Sequence, residues 1–276
     1  MIIKVLAANT AASETFAAEH GMSLYVETDH HRLLFDTGAS DLFIKNAEKL
    51  HVDLAQVDAA MISHGHYDHG GGLHAFLAIN DKAPIFAHAK AFAGYYALRS
   101  GGQKEYIGLD QTLSSNMRLH LCGDYLRIDD QLTLYADVAP KWFVPASNSN
   151  LLMQEGDSFV ADDFLHEQYL VISQAGKTLL ITGCAHRGIV NIVERAGERL
   201  GRRPDYVVGG FHLRHSVVRP GSDACVLTEI AHRLLETGAQ YYTGHCTSVD
   251  AFHCLKAVMG NYIKYIAAGE TITFDM

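Results

Sequence analysis

Ser63-His64-Gly65-His66-Tyr67-Asp68-His69-Gly70-Gly71-Gly72 places three imidazoles and one carboxylate within six residues, with three glycines directly behind them. Imidazole nitrogen and carboxylate oxygen are the usual protein ligands of zinc and its first-row neighbours. No ordinary core or surface turn calls for four such side chains at one bend. The order H-x-H-x-D-H sets His64 and His66 at alternate positions, able to reach one metal ion. Asp68 and His69 follow a turn later, able to reach a second. Upstream, Ala59-Ala60-Met61-Ile62-Ser63 reads as a buried strand, and a helix is expected over Leu73–Ala78. The ligands therefore sit on a rigid lip, and the glycines let backbone approach it closely.

One loop does not complete two coordination spheres. Three later loops offer further ligands: Thr182-Gly183-Cys184-Ala185-His186-Arg187-Gly188, Gly209-Gly210-Phe211-His212-Leu213 and Thr243-Gly244-His245-Cys246-Thr247. Each has the same layout of buried strand, glycine and a histidine at the strand's end. In open α/β sheets such ends are where sites form. His186 and His245 are expected as ligands. His212 reads equally well as a site residue or as a packing histidine.

The 276 residues are enough for one large domain or two small ones, and 48% apolar with 19% charged residues sustains a sizeable core. The net charge of −9 comes without a block of like charge, which argues against a nucleic-acid surface. Five cysteines without a CxxC pair argue against a disulfide framework and for a cytoplasmic home. The opening Met1–Asn9 is too short an apolar run for a signal peptide, and no stretch approaches the roughly 20 apolar residues of a membrane span.

Short apolar strands alternate with amphipathic helices. Helices are expected over Leu42–Leu50 and Gly188–Leu200. Two more are expected, one after Ser222-Asp223 with Gly238 as its stop, and one after Thr247 or Ser248 with Gly260 as its stop. The stretch 92–164 has weaker periodicity and is expected to be an insertion with a few strands of its own, covering the site. The chain reads as a single domain over 1–276.

Leu34-Phe35-Asp36-Thr37-Gly38, the His64–His69 motif, the Thr182-Gly183 turn and Thr243-Gly244-His245 together resemble the metallo-β-lactamase fold superfamily. Within it, Glu19-His20-Gly21-Met22-Ser23, Gly71-Gly72-Leu73, Gly183–Asn191, Gly209–Leu213 and Thr243–Thr247 resemble the group named for 7,8-dihydropterin-6-yl-methyl-4-(β-D-ribofuranosyl)aminobenzene 5′-phosphate synthase. The resemblance implies an α/β fold, a four-layer αβ/βα sandwich with metals at one edge. It also implies His64, His66 and a later histidine around one ion, and Asp68, His69 and His245 around the other. Asp36 would brace the metal loop as a partner of a ligand imidazole, although an Asp before Thr37-Gly38 also suits a plain turn. One departure stands out: Cys184 occupies the place of the superfamily's bridging Asp. Cys184 is either a thiolate ligand or an inert small residue, which leaves a tight site with a weak partner as one outcome.

The implied cofactors are two divalent ions, zinc first, with manganese or iron also suited to such donors. Asp68 and His212 are the candidate catalytic residues, and Arg187, His212 and Arg214 the candidates for binding a small anionic substrate. Arg99 and Lys104 are placed to reach over the site. No nucleic-acid or membrane partner is expected, and the oligomeric state is open. Three functions fit: an enzyme acting on a phosphorylated or pyrophosphorylated small molecule in the manner of the dihydropterin–aminobenzene ribosyl phosphate synthases, a phosphoesterase-type hydrolase using a metal-activated water, and a metal-binding protein without turnover.

Overall fold

The strand Arg32–Phe35 shows how the layers arise. Leu33 and Phe35 point into a core shared with Leu179 and Ile181. Leu34 points the other way, into a core with Phe43, Ala47 and Phe76. Successive strand residues face opposite sides, and here both sides are buried, hence the continuous apolar runs. Lys177–Ile181 mirrors this pattern. Its Leu180 packs with Ile189, Ile192, Leu227, Ile230 and Leu255 of the helices on the far side. Helices thus cover the outer face of each of two sheets, and the sheets' inner faces meet. The fold is the four-layer αβ/βα sandwich.

The computed structural model describes residues 1–213 and 223–276, with backbone alone for 223–225. Among these, one seven-stranded sheet runs Thr271–Thr273, Ile2–Ala7, Ser23–Glu27, Arg32–Phe35, Ala59–Ile62, Ile85–His88, Leu119–Cys122. The other runs Ile263–Tyr265, Gln240–Thr243, Tyr206–Gly209, Lys177–Ile181, Tyr169–Gln174, Leu132–Tyr135, Tyr125–Arg127. Arg32–Phe35, Ala59–Ile62 and Ile85–His88 are parallel, as are Lys177–Ile181, Tyr206–Gly209 and Gln240–Thr243. The loops at their carboxyl ends gather at one edge of the sandwich.

Helix boundaries follow their end signals. Ser248, rather than Thr247, caps Val249–Met259 by accepting from the Ala251 amide, and Gly260 follows at positive φ. Ile189–Leu200 ends at Gly201 in the left-handed conformation. Gly238, also at positive φ, follows Asp223–Leu235. The expected Ser222 cap lies outside the described residues.

The stretch 92–164 is not wholly an insertion. Tyr95–Leu98, Lys104–Tyr106, Leu151–Glu155 and Ser158–Ala161 do form a separate four-stranded sheet. Leu119–Cys122, Tyr125–Arg127 and Leu132–Tyr135, however, are edge and near-edge strands of the two main sheets. Their exposed positions, such as His120, Leu121 and Tyr125, break the apolar run that marks a central strand. Ile263–Tyr265 is a short, half-exposed edge strand whose residues likewise form no apolar run.

Candidate metal centre and active site

Ser63 directly follows the strand Ala59–Ile62, and Asp36 directly follows the neighbouring strand Arg32–Phe35. Asp36 is fully buried and sits at a φ of 60°, a conformation uncommon outside glycine. Its Oδ1 accepts from the Ser63 amide at 2.7 Å, and its Oδ2 accepts from Ser63 Oγ at 2.7 Å and from His69 Nδ1 at 2.6 Å. Ser63 Oγ, having given its proton to Asp36, is left as an acceptor for His64 Nδ1 at 2.9 Å. One carboxylate therefore sets the orientation of two imidazoles, each with Nε2 turned outward. Gly183 is essential to this packing, since a Cβ there would lie 2.2 Å from Ser63 Oγ.

The other imidazoles are held the same way. His186 Nδ1 lies 2.9 Å from Asn148 Oδ1, and the Asn148 amide donates back to the His186 carbonyl at 2.8 Å. His245 Nδ1 lies 2.7 Å from Asn9 Oδ1. His66 is the exception, its Nε2 facing the Asp162 carboxylate at 3.8 Å, too far for a hydrogen bond. Asp162 is itself bonded to His166 Nε2 at 3.1 Å, and His166 Nδ1 accepts from the Gly65 amide at 2.9 Å. A second nitrogen bonded to an oxygen acceptor is the usual way a ligating histidine is fixed in tautomer and orientation.

The outward nitrogens of His64 and His186 meet, whereas a His66 nitrogen groups with Asp162 and His166 and only its ring lies beside theirs. His64, His66 and His186 form a triangle with ring centroids 4.6, 5.0 and 5.0 Å apart. The Nε2 atoms of His64, His66 and His186 are buried with no hydrogen-bond partner among the described residues. Unpaired buried polar atoms are costly, and these suit a metal ion as their partner. Beside them, His69 Nε2 lies 3.1 Å from His245 Nε2 and 3.2 Å from Cys184 Sγ, and Cys184 Sγ lies 3.3 Å from His245 Nε2. Asp68 Oδ2 is 3.4 Å from His245 Nε2 and 3.7 Å from His69 Nε2. Donor atoms of Asp68, His69, Cys184 and His245 all fall within 4.8 Å of one another, and those of His64, Cys184 and His186 do likewise. Cys184 belongs to both sets.

Charge in the cluster is divided. Burial, then the neighbouring His69 and His66, push the His64 pKa well below its usual value. Burial and His212 do the same to His186. Burial opposes charge on His69 too, but the Asp36 and Asp68 carboxylates outweigh it and raise its pKa to about 9. Burial likewise works against the Asp68 carboxylate, yet His69, His245 and His20 hold its pKa well below the usual range. Burial raises the Cys184 thiol.

The cluster opens on a cavity of about 390 Å³, lined among others by His20, Asp68, Arg99, Cys184 and His212. His212 is thus at the site, with its ring centroid 4.1 Å from that of His186 and its Nδ1 buried without a partner among the described residues. Arg187 does not face this cavity. Its guanidinium is bonded to the carbonyls of Val138 and Asp163, so it ties two segments together rather than receiving substrate. Lys104 stacks over the Phe159 ring at 4.7 Å and is not in the lining. Arg214 lies outside the described residues.

Several site residues carry no local signal in the sequence. Asn9, Asn148, Asp162 and His166 are single polar residues brought in from distant loops. Glu167 is fully buried and accepts from the His186 and Arg187 amides at 2.8 and 3.0 Å and from the Tyr169 hydroxyl at 2.6 Å, pinning the His186 loop. His20 stacks on His245 and reaches Asp68 Oδ2 at 3.3 Å.

Fold and centre together define the class: the chain belongs to the metallo-beta-lactamase superfamily, whose family model matches residues 18–223. Among particular relatives, the uncharacterized protein MJ0448 of Methanocaldococcus jannaschii is 31% identical over 218 residues, 77% of this chain and 79% of that one. The 7,8-dihydropterin-6-methyl-4-(beta-D-ribofuranosyl)-aminobenzene-5'-phosphate synthase of the same organism is 27% identical over 277 residues, 94% of this chain and 91% of that one. The crystal structure of Tm1679, a metal-dependent hydrolase of the beta-lactamase superfamily, is similar with a TM-score of 0.83 and 30% identity over 99% of both chains.

Proposed function

We propose that this protein is a two-metal enzyme acting on a phosphorylated or pyrophosphorylated small molecule. The observation that carries the reading is the adjacent pair of donor sets sharing Cys184 and opening on one cavity. The residues fit divalent ions, zinc first: His64, His66 and His186 would hold one, and Asp68, His69 and His245 the other, with Cys184 within reach of both sets. When bound, the ions supply Lewis acidity, making water a usable nucleophile near neutral pH and offsetting charge on phosphoryl oxygens.

The chain's own groups do the rest. Asn9, Asp36, Ser63 and Asn148 hold four of the ligand imidazoles in place. Asp68, kept ionised by its imidazole neighbours, faces the cavity and orients the attacking group. His212 offers a buried nitrogen at the cavity wall, placed to hold a proton for the leaving group. The roof formed by the four-stranded sheet limits water around the reacting atoms.

The synthase relative supports a bond-forming reaction, which on this reading is transfer onto a second substrate with loss of pyrophosphate. The hydrolase relative of 30% identity supports the alternative, hydrolysis of a phosphoester. Zinc- or manganese-loaded protein incubated with a dihydropterin diphosphate and the aminobenzene ribosyl phosphate separates them. Pyrophosphate release that needs the aminobenzene marks the transferase. Metal-dependent turnover of p-nitrophenyl phosphates without it marks the hydrolase. Neither activity in metal-replete protein rejects both. Among the described residues no helix is long and apolar enough to cross a membrane. Cys122, Cys184, Cys246 and Cys254 are all free thiols, which supports a reducing cytoplasm.

The raised pKa of His69 has a measurable consequence. A metal entering its Nε2 must displace a proton below about pH 9. Binding to the Asp68 set is expected to strengthen as pH rises toward that value, with proton release visible by calorimetry in buffers of different ionisation enthalpy. Neutral His64 and His186 release no proton to the other ion, so release there comes from the Cys184 thiol, whose pKa burial raises. In metal-free protein the same shift works oppositely. Protonated His69 stabilises the fold below its ordinary pKa of about 6.5, and this contribution is lost as pH climbs through about 9. Melting temperatures of chelator-treated protein should fall over that window.

A further inference from the structure

The four-stranded sheet covers the imidazole cluster with one face. Leu151 pairs with Ala97, and Ala97 with Glu105. Paired residues share a face and side chains alternate along a strand, so Arg99, two beyond Ala97, and Ile107, two beyond Glu105, lie on that face too. Ala97, Arg99, Ile107 and Leu151 line the cavity. The roof is therefore apolar with one lysine or arginine among the described lining residues.

Arg99 differs from Arg187 in what its guanidinium does. Arg187 spends its donors on main-chain carbonyls. Arg99 bonds through Nε to Glu105, and its terminal Nη groups have no hydrogen-bond partner among the described residues. Both members of the Arg99–Glu105 pair are about half exposed, so the pair itself contributes little stability. It fixes the direction of the guanidinium instead. A planar fork with two unspent edges matches the oxygens of a phosphate.

We propose that Arg99, aimed by Glu105, anchors the substrate's phosphate against the roof while the reacting end meets the metal centre. This rests on the reading that the substrate is phosphorylated. Only a substrate long enough to span from the metal centre to Arg99 engages both ends. Arg99 is thus a specificity determinant for phosphorylated over neutral substrates.

The test uses zinc-loaded protein and inorganic pyrophosphate, titrated by calorimetry, with zinc content measured after each titration. Arg99→Ala is expected to weaken pyrophosphate binding by about 10- to 100-fold, the loss of charge-assisted hydrogen bonds. Arg99→Lys should fall between, because it keeps charge but not the fork. Glu105→Gln should cost about two- to fivefold. Zinc content and melting temperature should not change. In turnover, Arg99→Ala should raise KM for a phosphorylated ester and leave a neutral ester unaffected. Wild type and Arg99→Ala agreeing within twofold both in pyrophosphate binding and in KM for the phosphorylated ester would overturn the assignment of Arg99 alone. Wild type that binds no pyrophosphate and turns over no phosphorylated ester would overturn the phosphorylated-substrate reading itself.

Discussion

Replacing His64 with alanine is expected to abolish metal-dependent turnover, by about 10³-fold or more. His64 is one of the three imidazoles proposed for the first ion, and its Nε2 has no other partner to lose among the described residues. A catalytic ion contributes several kcal/mol to the transition state, at about 1.4 kcal/mol per factor of ten. The fold should survive. His64 is buried against other imidazoles, and its removal leaves Ser63 still bonded to Asp36 through two atoms. His186→Ala should behave alike, and metal analysis should find the first ion lost in both. Retained turnover with one ion missing would place the chemistry at the second set alone.

The second large effect concerns Cys184. With alanine there, both donor sets lose the sulfur they share, and the Asp68 set is left with Asp68, His69 and His245. The expected result is a 10- to 100-fold loss in affinity for the second ion, comparable to losing a close partner of a metal ligand, with the first ion retained. Cys184→Asp puts the carboxylate usual in the superfamily at this place. It should hold two ions and shift preference from the softer zinc toward manganese, since thiolate favours soft metals and carboxylate hard ones. With cobalt bound, wild type should show sulfur-to-metal charge-transfer absorption that both variants lack. Unchanged absorption in Cys184→Ala would mean that the sulfur is not a ligand.

The centre was legible where chemistry is contiguous. His64, His66, Asp68 and His69 fall in one motif, and His186 and His245 repeat a strand-glycine-histidine layout. The layout brought in His212 as well, which the structure puts at the cavity wall. What was illegible is tertiary. Asn9 and Asn148 act because the fold carries one oxygen to one imidazole, and no spacing announces that. Arg187 misled because adjacency in sequence to a ligand says nothing of where a long side chain goes; the main-chain carbonyls of Val138 and Asp163 claimed it. Arg99 was noticed as a residue near the site, but its open Nη groups follow from strand register, which sequence alone does not set. The layers were legible from apolar runs in the central strands. The edge strands at Leu119–Cys122 and Tyr125–Arg127 were not, because one-sided exposure erases the run.

The central claim is that two ions sit side by side with Cys184 between them. Anomalous scattering at the zinc edge from crystals of zinc-loaded protein tests it directly. Two peaks are expected, one among His64, His66 and His186 and one among Asp68, His69 and His245, with Cys184 Sγ at bonding distance, about 2.3 Å, from at least one. A single peak, or two with the sulfur turned away from both, would contradict it.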